Sequence, residues 1–423
     1  MERPKNSPRG TYDLLPSESV KWQRVENTAK DLLRKAGFHE IRTPIFEQTE
    51  IFQRAAGETS DIVNKEMYTF NDRSDRSITL RPEGTAGVVR AFLSNGMDRN
   101  PKPVKLWYYG PMFRYERSQT GRYRQFTQLG VEVYGSATPE IELEVISLAW
   151  DLFQKLKIPN LTLEINSVGD QESRINYQEA MRAFLEEHQA EICPDCQNRM
   201  KTNPLRALDC KVPEDQALYK KKAPKICTYL NEACIAHQER LFFLLTSFGI
   251  PFTVNESLVR GLDYYTKTVF EIKTTDKALG TQNTICAGGR YDDLVKEFGG
   301  PQTPAFGWAL GMERLTSLIP EDLDEQKLDF YVISSQENFE QAYKLVQEIR
   351  EKGYSADMDY ESRSDKKQFD LGKKFTKLIC EFSPPNLLTR KSTIEYSSNF
   401  STVIKDFSPM TVDDFLEKNK GNI

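Results

Sequence analysis

Four arginines, Arg114, Arg117, Arg122 and Arg124, fall within eleven positions of a chain that is acidic as a whole, with 57 basic against 62 acidic side chains. The planar guanidinium grips phosphate through paired hydrogen bonds, so such a cluster suits a nucleoside triphosphate or a nucleic-acid end. A solvated basic loop would carry the same residues. The segment that follows favours a site. Thr127, Leu129, Val131 and Val133 alternate with Phe126, Gln128, Gly130, Glu132 and Tyr134, the pattern of a strand with one face to the core. On the other face Gln128 and Glu132 flank side-chain-free Gly130, a polar floor for a ligand. Phe126 and Tyr134 at its ends suggest an enclosed pocket, and Phe126 could stack a purine.

Four further segments carry candidate chemistry. In Leu258-Val259-Arg260-Gly261-Leu262-Asp263-Tyr264-Tyr265-Thr266 an arginine sits in an apolar run and needs either a structural carboxylate or a bound anion. Cys286-Ala287-Gly288-Gly289-Arg290-Tyr291 offers close backbone approach to a ligand or a plain tight turn. Phe306 to Leu315 reads as a strand entering a helix, with Arg314 in the first turn as a phosphate contact. Arg81-Pro82-Glu83-Gly84-Thr85 sets a carboxylate on a turn, where it could hold an ammonium group. Histidine is scarce: His39, His188 and His237 are the three. A His-based triad or multi-His metal site is hard to build from them, so the chemistry rests on carboxylates, arginines and tyrosines. Cys193-Pro194-Asp195-Cys196, with Cys210, Cys227, Cys234 and His237 downstream, has enough ligands for zinc, but the later spacings match no compact zinc module. Free thiols are expected, and no metal site is assigned.

The elements that must position these residues are legible. Ser17 to Ala36 is an amphipathic helix stopped by Gly37, followed by a strand from Phe38 to Phe46 with Pro44 inside it, placed at an edge or interface. Lys105–Glu116 and Gln125–Gly135 form a long antiparallel hairpin. Thr138 and Pro139 open a helix whose inner stripe is Ile141, Val145, Leu148 and Leu152. Residues from about 170 to 248 read as a polar helical insertion, and an acidic, proline-containing linker lies near 320–327. The remainder reads strand–helix–strand–helix–strand, a small α/β domain with a partly parallel sheet. The 423 residues, 39% hydrophobic, suit two or three globular domains. No segment reads as a membrane span or a secretory signal.

Taken in order, the motifs resemble the histidyl-tRNA synthetases, a class II aminoacyl-tRNA synthetase family. The resemblance runs from Arg9-Gly10-Thr11-Tyr12-Asp13-Leu14-Leu15-Pro16 to about Pro320. It includes Phe113-Arg114-Tyr115-Glu116-Arg117 through Gln128, Leu258 to Thr266, Ala287 to Tyr291, and Gly311-Met312-Glu313-Arg314. It implies an α+β fold, an antiparallel sheet flanked by helices, with a catalytic domain over 1–325 and a C-terminal α/β anticodon-binding-like domain over 326–423. The helix and strand ending at Pro44 would lie at a homodimer interface.

The activity implied is formation of histidyl-adenylate from histidine and ATP, accompanied by Mg²⁺, then transfer to the end of the histidine tRNA in the cytoplasm. The resemblance assigns Glu83, Thr85, Gln128, Glu132, Tyr264 and Tyr265 to histidine, with Glu132 and Tyr265 on the imidazole nitrogens. It assigns Arg114, Glu116, Phe126 and Arg314 to ATP. Arg114 and Arg260 are the catalytic pair beside the α-phosphate, Arg260 standing where other class II enzymes place a metal ion. Arg117 and Gln119 would face the tRNA acceptor end. Arg363 to Lys377, with six basic and two acidic residues, resembles a helix of the anticodon-binding domain, whereas the Ser/Thr-rich stretch past Phe382 departs from the family pattern. Two other classes remain: a catalytically silent histidine-binding regulatory paralogue, and a nucleic-acid binder using the basic hairpin alone.

Overall fold

Trp22, Val25, Ala29 and Leu33 recur at helical spacing and bury one stripe of α1 (Pro16–Lys35). Pro16 supplies a preset φ at the first helical position. Gly37 ends the helix at φ +78°, while the Phe38 amide reaches back to Leu33 O at 2.9 Å. The computed structural model describes residues 6–57, 60, 62–117, 119, 121–210, 212–258, 264–276, 279, 283–319, 327–383, 387–390, 413 and 416–417. They belong to two compact units, 1–320 and 321–423.

The strand expected from Phe38 to Phe46 is split. Only β1 (His39–Glu40) joins the main sheet, parallel to its neighbour at one edge. The chain resumes after Pro44, which has no amide hydrogen for a ladder, as β2 (Phe46–Gln48) in a separate three-stranded sheet. After α2 (Thr49–Ala56), that sheet is completed by β3 (Tyr68–Asn71) and β4 (Ser77–Leu80). Then come α3 (Thr85–Ser94) and the expected hairpin, β5 (Val104–Phe113) and β6 (Gln125–Tyr134), antiparallel with Glu132 opposite Leu106. Leu129, Val131 and Val133 are buried on its core face, as the alternation predicts. Next are α4 (Pro139–Lys155) and β7 (Leu161–Ser167). Within α4, Leu148 is only half-buried; Ile146, Ala149 and the unforeseen Glu142 are the deeper residues.

The helical insertion comprises α5 (Gln171–Glu187), α6 (Pro194–Thr202), α7 (Pro213–Lys222) and α8 (Glu232–Ser247). Residues from Tyr177 to Ile226 share a hydrophobic cluster of their own. The fourth helix does not belong to it: α8 packs against α4, where His237 meets Glu142. The chain then returns through β8 (Phe252–Val254), β9 (Thr266–Thr274), β10 (Thr284–Arg290), α9 (Leu294–Glu297), β11 (Ala305–Gly311) and α10 (Met312–Thr316). The eight-stranded order is β1-β5-β6-β11-β10-β9-β7-β8, antiparallel apart from its two outer pairs.

The second unit contains β12 (Leu328–Ile333), α11 (Phe339–Glu351), β13 (Ala356–Met358), α12 (Asp365–Phe375), β14 (Thr376–Ser383) and β15 (Leu387–Arg390). Three parallel strands and one antiparallel edge strand make the partly parallel sheet expected, in the order β13-β12-β14-β15. Its basic stretch is partly neutralised: Arg363 pairs with Asp359 at 2.5 Å and Lys377 with Asp329 at 2.9 Å. Among the described residues, no helix is long and apolar enough to cross a membrane.

Candidate active site

A cavity of about 380 Å³ opens on the sheet face carrying Phe126, Gln128 and Glu132 of β6. Its size suits a small-molecule ligand. Strand rise places Phe126 about 20 Å from Glu132, so the two mark opposite ends of an elongated slot.

At the Glu132 end everything polar converges on carboxylates. Glu132 is 1% exposed; it accepts a hydrogen bond from Thr85 Oγ1 at 2.7 Å and another from the Tyr291 hydroxyl. Glu83, also buried, accepts from the amides of Thr85 and Ala86 at 2.8 Å each, satisfying two of the free N–H groups that open α3. Burial raises both carboxyl pKa values, that of Glu132 to about 8, because a charged carboxylate loses its hydration there. Among the described residues neither carboxylate has an ion-pair partner, so this end suits a cation bearing hydrogen-bond donors. Tyr264 and Tyr265 wall it, their rings 4.7 Å apart. Gln128 and Thr85 complete the lining.

Two features of this floor differ from expectation. The room over Gly130 is filled by the ring of Tyr108, its register partner on β5; a Cβ at Gly130 would stand 2.2 Å from that ring. Tyr134 does not enclose the pocket either. It is wholly buried and stacks on Phe92 at 4.5 Å. The alternation placed both residues on the correct face without revealing which neighbour covers them.

The other end is basic. The Arg114 guanidinium lies over the Phe126 ring at 5.3 Å and donates from Nε to Pro82 O at 2.8 Å. Arg314 donates to Gly121 O and Thr284 O, both at 3.0 Å. Glu116 receives Arg122 at 2.8 Å and lies 4.0 Å from Arg114. Arg114, Glu116, Arg122, Phe126 and Arg314 line the same cavity as Glu132. The helix behind Arg314 has only five residues, so its side chain and not a helix terminus supplies the charge. Arg260 lies outside the described residues. Arg117 and Gln119 are exposed on the hairpin loop beyond the cavity, and Arg124 stacks on Tyr115 at 4.0 Å, also away from it.

Several lining residues had no role assigned from sequence: Arg122, Glu271, Tyr291 and Glu313. Arg122 and Tyr291 stood within segments already marked by their glycines and arginines. Glu313 accepts from the Thr127 amide at 2.8 Å and the Tyr12 hydroxyl at 3.2 Å, and burial lifts its pKa to about 7. The paired Gly288 and Gly289 do not form a turn, and neither lines the cavity. They lie inside β10, where added Cβ atoms would meet Gly307 O at 2.2 Å and Thr268 O at 2.5 Å. Next to them Arg290 is wholly buried on the other side of the sheet. It binds Glu142 at 2.5 Å and Asp292 at 3.0 Å, and Glu142 also meets His237 at 2.8 Å and Thr268 at 2.7 Å.

A family model described as histidyl-tRNA synthetase matches residues 10–315, which hold all of these cavity residues. The chain belongs to the histidyl-tRNA synthetase family. Membership makes it an aminoacyl-tRNA synthetase with the class II α+β architecture. It is 49% identical over 377 residues to a histidine–tRNA ligase of Thermosynechococcus vestitus, covering 88% of this chain and 87% of the relative. It is 46% identical over 410 residues to one of Natranaerobius thermophilus, covering 95% and 97%. The apo histidyl-tRNA synthetase of S. aureus superposes with a TM-score of 0.79 at 37% identity, over 98% of this chain and 99% of that one.

Proposed function

We propose that the chain is a histidine–tRNA ligase whose cavity binds histidine against Glu132 and ATP against the arginines. The observation that carries this reading is the shared cavity: Arg114 and Arg314 open onto the same slot as the buried carboxylates of Glu83 and Glu132. An amino acid joined to a nucleotide has that charge pattern, cationic at one end and anionic in the middle.

Glu83 and Thr85 hold the histidine ammonium, Gln128 its carboxylate or amino end, and Glu132 and Tyr265 the imidazole, with Tyr264 as wall. A site that satisfies both imidazole nitrogens rejects isosteres, because its own buried groups would be left unpaired. The histidine carboxylate attacks the α-phosphorus; the bond to the β-phosphate breaks and pyrophosphate leaves. The nucleophile is already an anion, so no histidine base is needed. Positioning and charge stabilisation carry the step.

Arg114, with Arg260, neutralises the α-phosphate, Arg314 holds the γ-phosphate, Phe126 stacks the adenine and Glu116 meets its amino edge. ATP would enter as its magnesium complex, and the Glu271 carboxylate lining the slot is an oxygen donor of the kind Mg²⁺ takes. The terminal ribose hydroxyl of the tRNA then attacks the acyl carbonyl and AMP leaves, with Arg117 and Gln119 guiding the acceptor end. Residues 1–325 would act as the catalytic domain and 326–423 as the anticodon-binding-like domain, in a cytoplasmic homodimer.

Histidine-dependent ATP–pyrophosphate exchange tests the reading. Exchange with histidine and with no other amino acid is expected. Histidine binding without exchange would instead identify the silent regulatory paralogue.

A further inference from the structure

The helical insertion brings together four potential metal ligands that do not look like a module in sequence. Cys193 is the residue before α6, Cys196 lies in its first turn, Cys210 follows the short 3₁₀ segment Pro204–Asp209, and Asp215 lies in the first turn of α7. Their ligand atoms all lie within 4.8 Å of one another. Cys196, Cys210 and Asp215 are buried and Cys193 is half-buried. Cys227, Cys234 and His237, which the sequence offered as companions, are elsewhere: Cys227 is exposed and His237 binds Glu142. The fourth ligand escapes a search by Cys and His spacing because it is a carboxylate.

We propose that Cys193, Cys196, Cys210 and Asp215 form a closed structural zinc site that staples this module. Three arguments support it. First, tetrahedral zinc with Zn–S bonds of about 2.3 Å holds its sulfurs about 3.8 Å apart. The Cys193 and Cys210 sulfurs are separated by 3.8 Å. Second, the outer groups already point inward: the Cys193 amide donates to Asp215 Oδ2 at 3.1 Å, and the Val212 amide to Cys210 Sγ at 3.4 Å. The buried Tyr219 hydroxyl, with no hydrogen-bonded nitrogen or oxygen partner among the described residues, lies beside Cys196 and can donate to its thiolate. Third, the module needs a staple. At roughly 60 residues, it is of a size whose hydrophobic core alone leaves little margin. Soft sulfur ligands with one carboxylate select zinc over magnesium or calcium. Binding inserts one Zn²⁺ and expels three thiol protons, with no redox change.

The test uses the full chain, purified under reducing conditions without chelator. Elemental analysis is expected to find about one zinc per chain. Adding Co²⁺ to chelator-stripped protein is expected to give the absorption of tetrahedral thiolate-bound cobalt, saturating at one equivalent and bleached by Zn²⁺. Cys210→Ser should abolish the band, and Asp215→Asn should shift it. A folded wild-type chain with neither zinc nor a cobalt–thiolate band overturns the proposal, as does a band that survives Cys210→Ser unchanged. Should that variant misfold, the wild-type cobalt titration decides alone.

Discussion

Gly307 stands opposite Glu132 in the β6–β11 register, and a Cβ on it would lie 1.9 Å from Glu132 Oε2. The carboxylate at the floor of the slot therefore occupies space that a glycine on the neighbouring strand leaves free. Gly307→Ala is expected to push Glu132 off its bonds to Thr85 and Tyr291. Displacing a binding group by about 1 Å costs on the order of 100-fold. Pyrophosphate exchange should fall by at least that factor, and because the same Cβ also meets the Val131 carbonyl oxygen, the β6–β11 pair must give as well and the melting temperature should fall with it. Unaltered exchange would show that the Glu132 position is not critical.

Glu132 also makes the slot sensitive to pH. Burial raises its pKa from 4.5 to about 8, against the opposing bonds from Tyr291 and Thr85. A carboxyl with a raised folded-state pKa contributes stability that is fully present below about 4.5 and is lost as pH rises through about 8. Wild-type melting temperature should therefore decline between about pH 5 and 8 more steeply than that of Glu132→Gln, which cannot ionise. Parallel curves would refute the assignment. The same variant should bind histidine about 10- to 100-fold more weakly by calorimetry, the loss of a hydrogen bond to a charged group.

Arg114 and Arg117 are three residues apart, yet only the first lines the cavity. Arg114→Ala should lower exchange by about 100- to 1,000-fold, the scale of losing one preorganised charge stabiliser. Arg117→Ala should leave exchange intact and lower only histidine transfer to tRNA. Equal losses in both assays for Arg117→Ala would place it in adenylate formation instead.

Beneath the sheet, Glu142 shares the wholly buried Arg290 with Asp292 and is the closer of the two carboxylates. Burial pushes its pKa up, but Arg290 and the bonds from His237 and Thr268 outweigh that and hold it below the usual carboxylate range. Glu142→Ala leaves the buried guanidinium with Asp292 as its one carboxylate partner among the described residues and should cost about 3 kcal/mol of stability, measured by chemical denaturation. Removing both charges in Glu142→Leu/Arg290→Met should recover much of that loss.

The sequence by itself determined the local things: the α1 stripe, the β5–β6 hairpin and the face of β6 that carries Phe126, Gln128 and Glu132. Each depends on the period of one element, which a linear pattern records. Motif order likewise marked the family. Tertiary structure decided what covers and neutralises those residues. Tyr108 fills the space above Gly130, Gly307 makes room for Glu132, Glu142 answers Arg290, and Asp215 joins three cysteines. These partnerships are set by strand register and by contacts between segments far apart in the chain. Steric room and counter-charge are properties of three-dimensional neighbours, and no spacing along one segment encodes them.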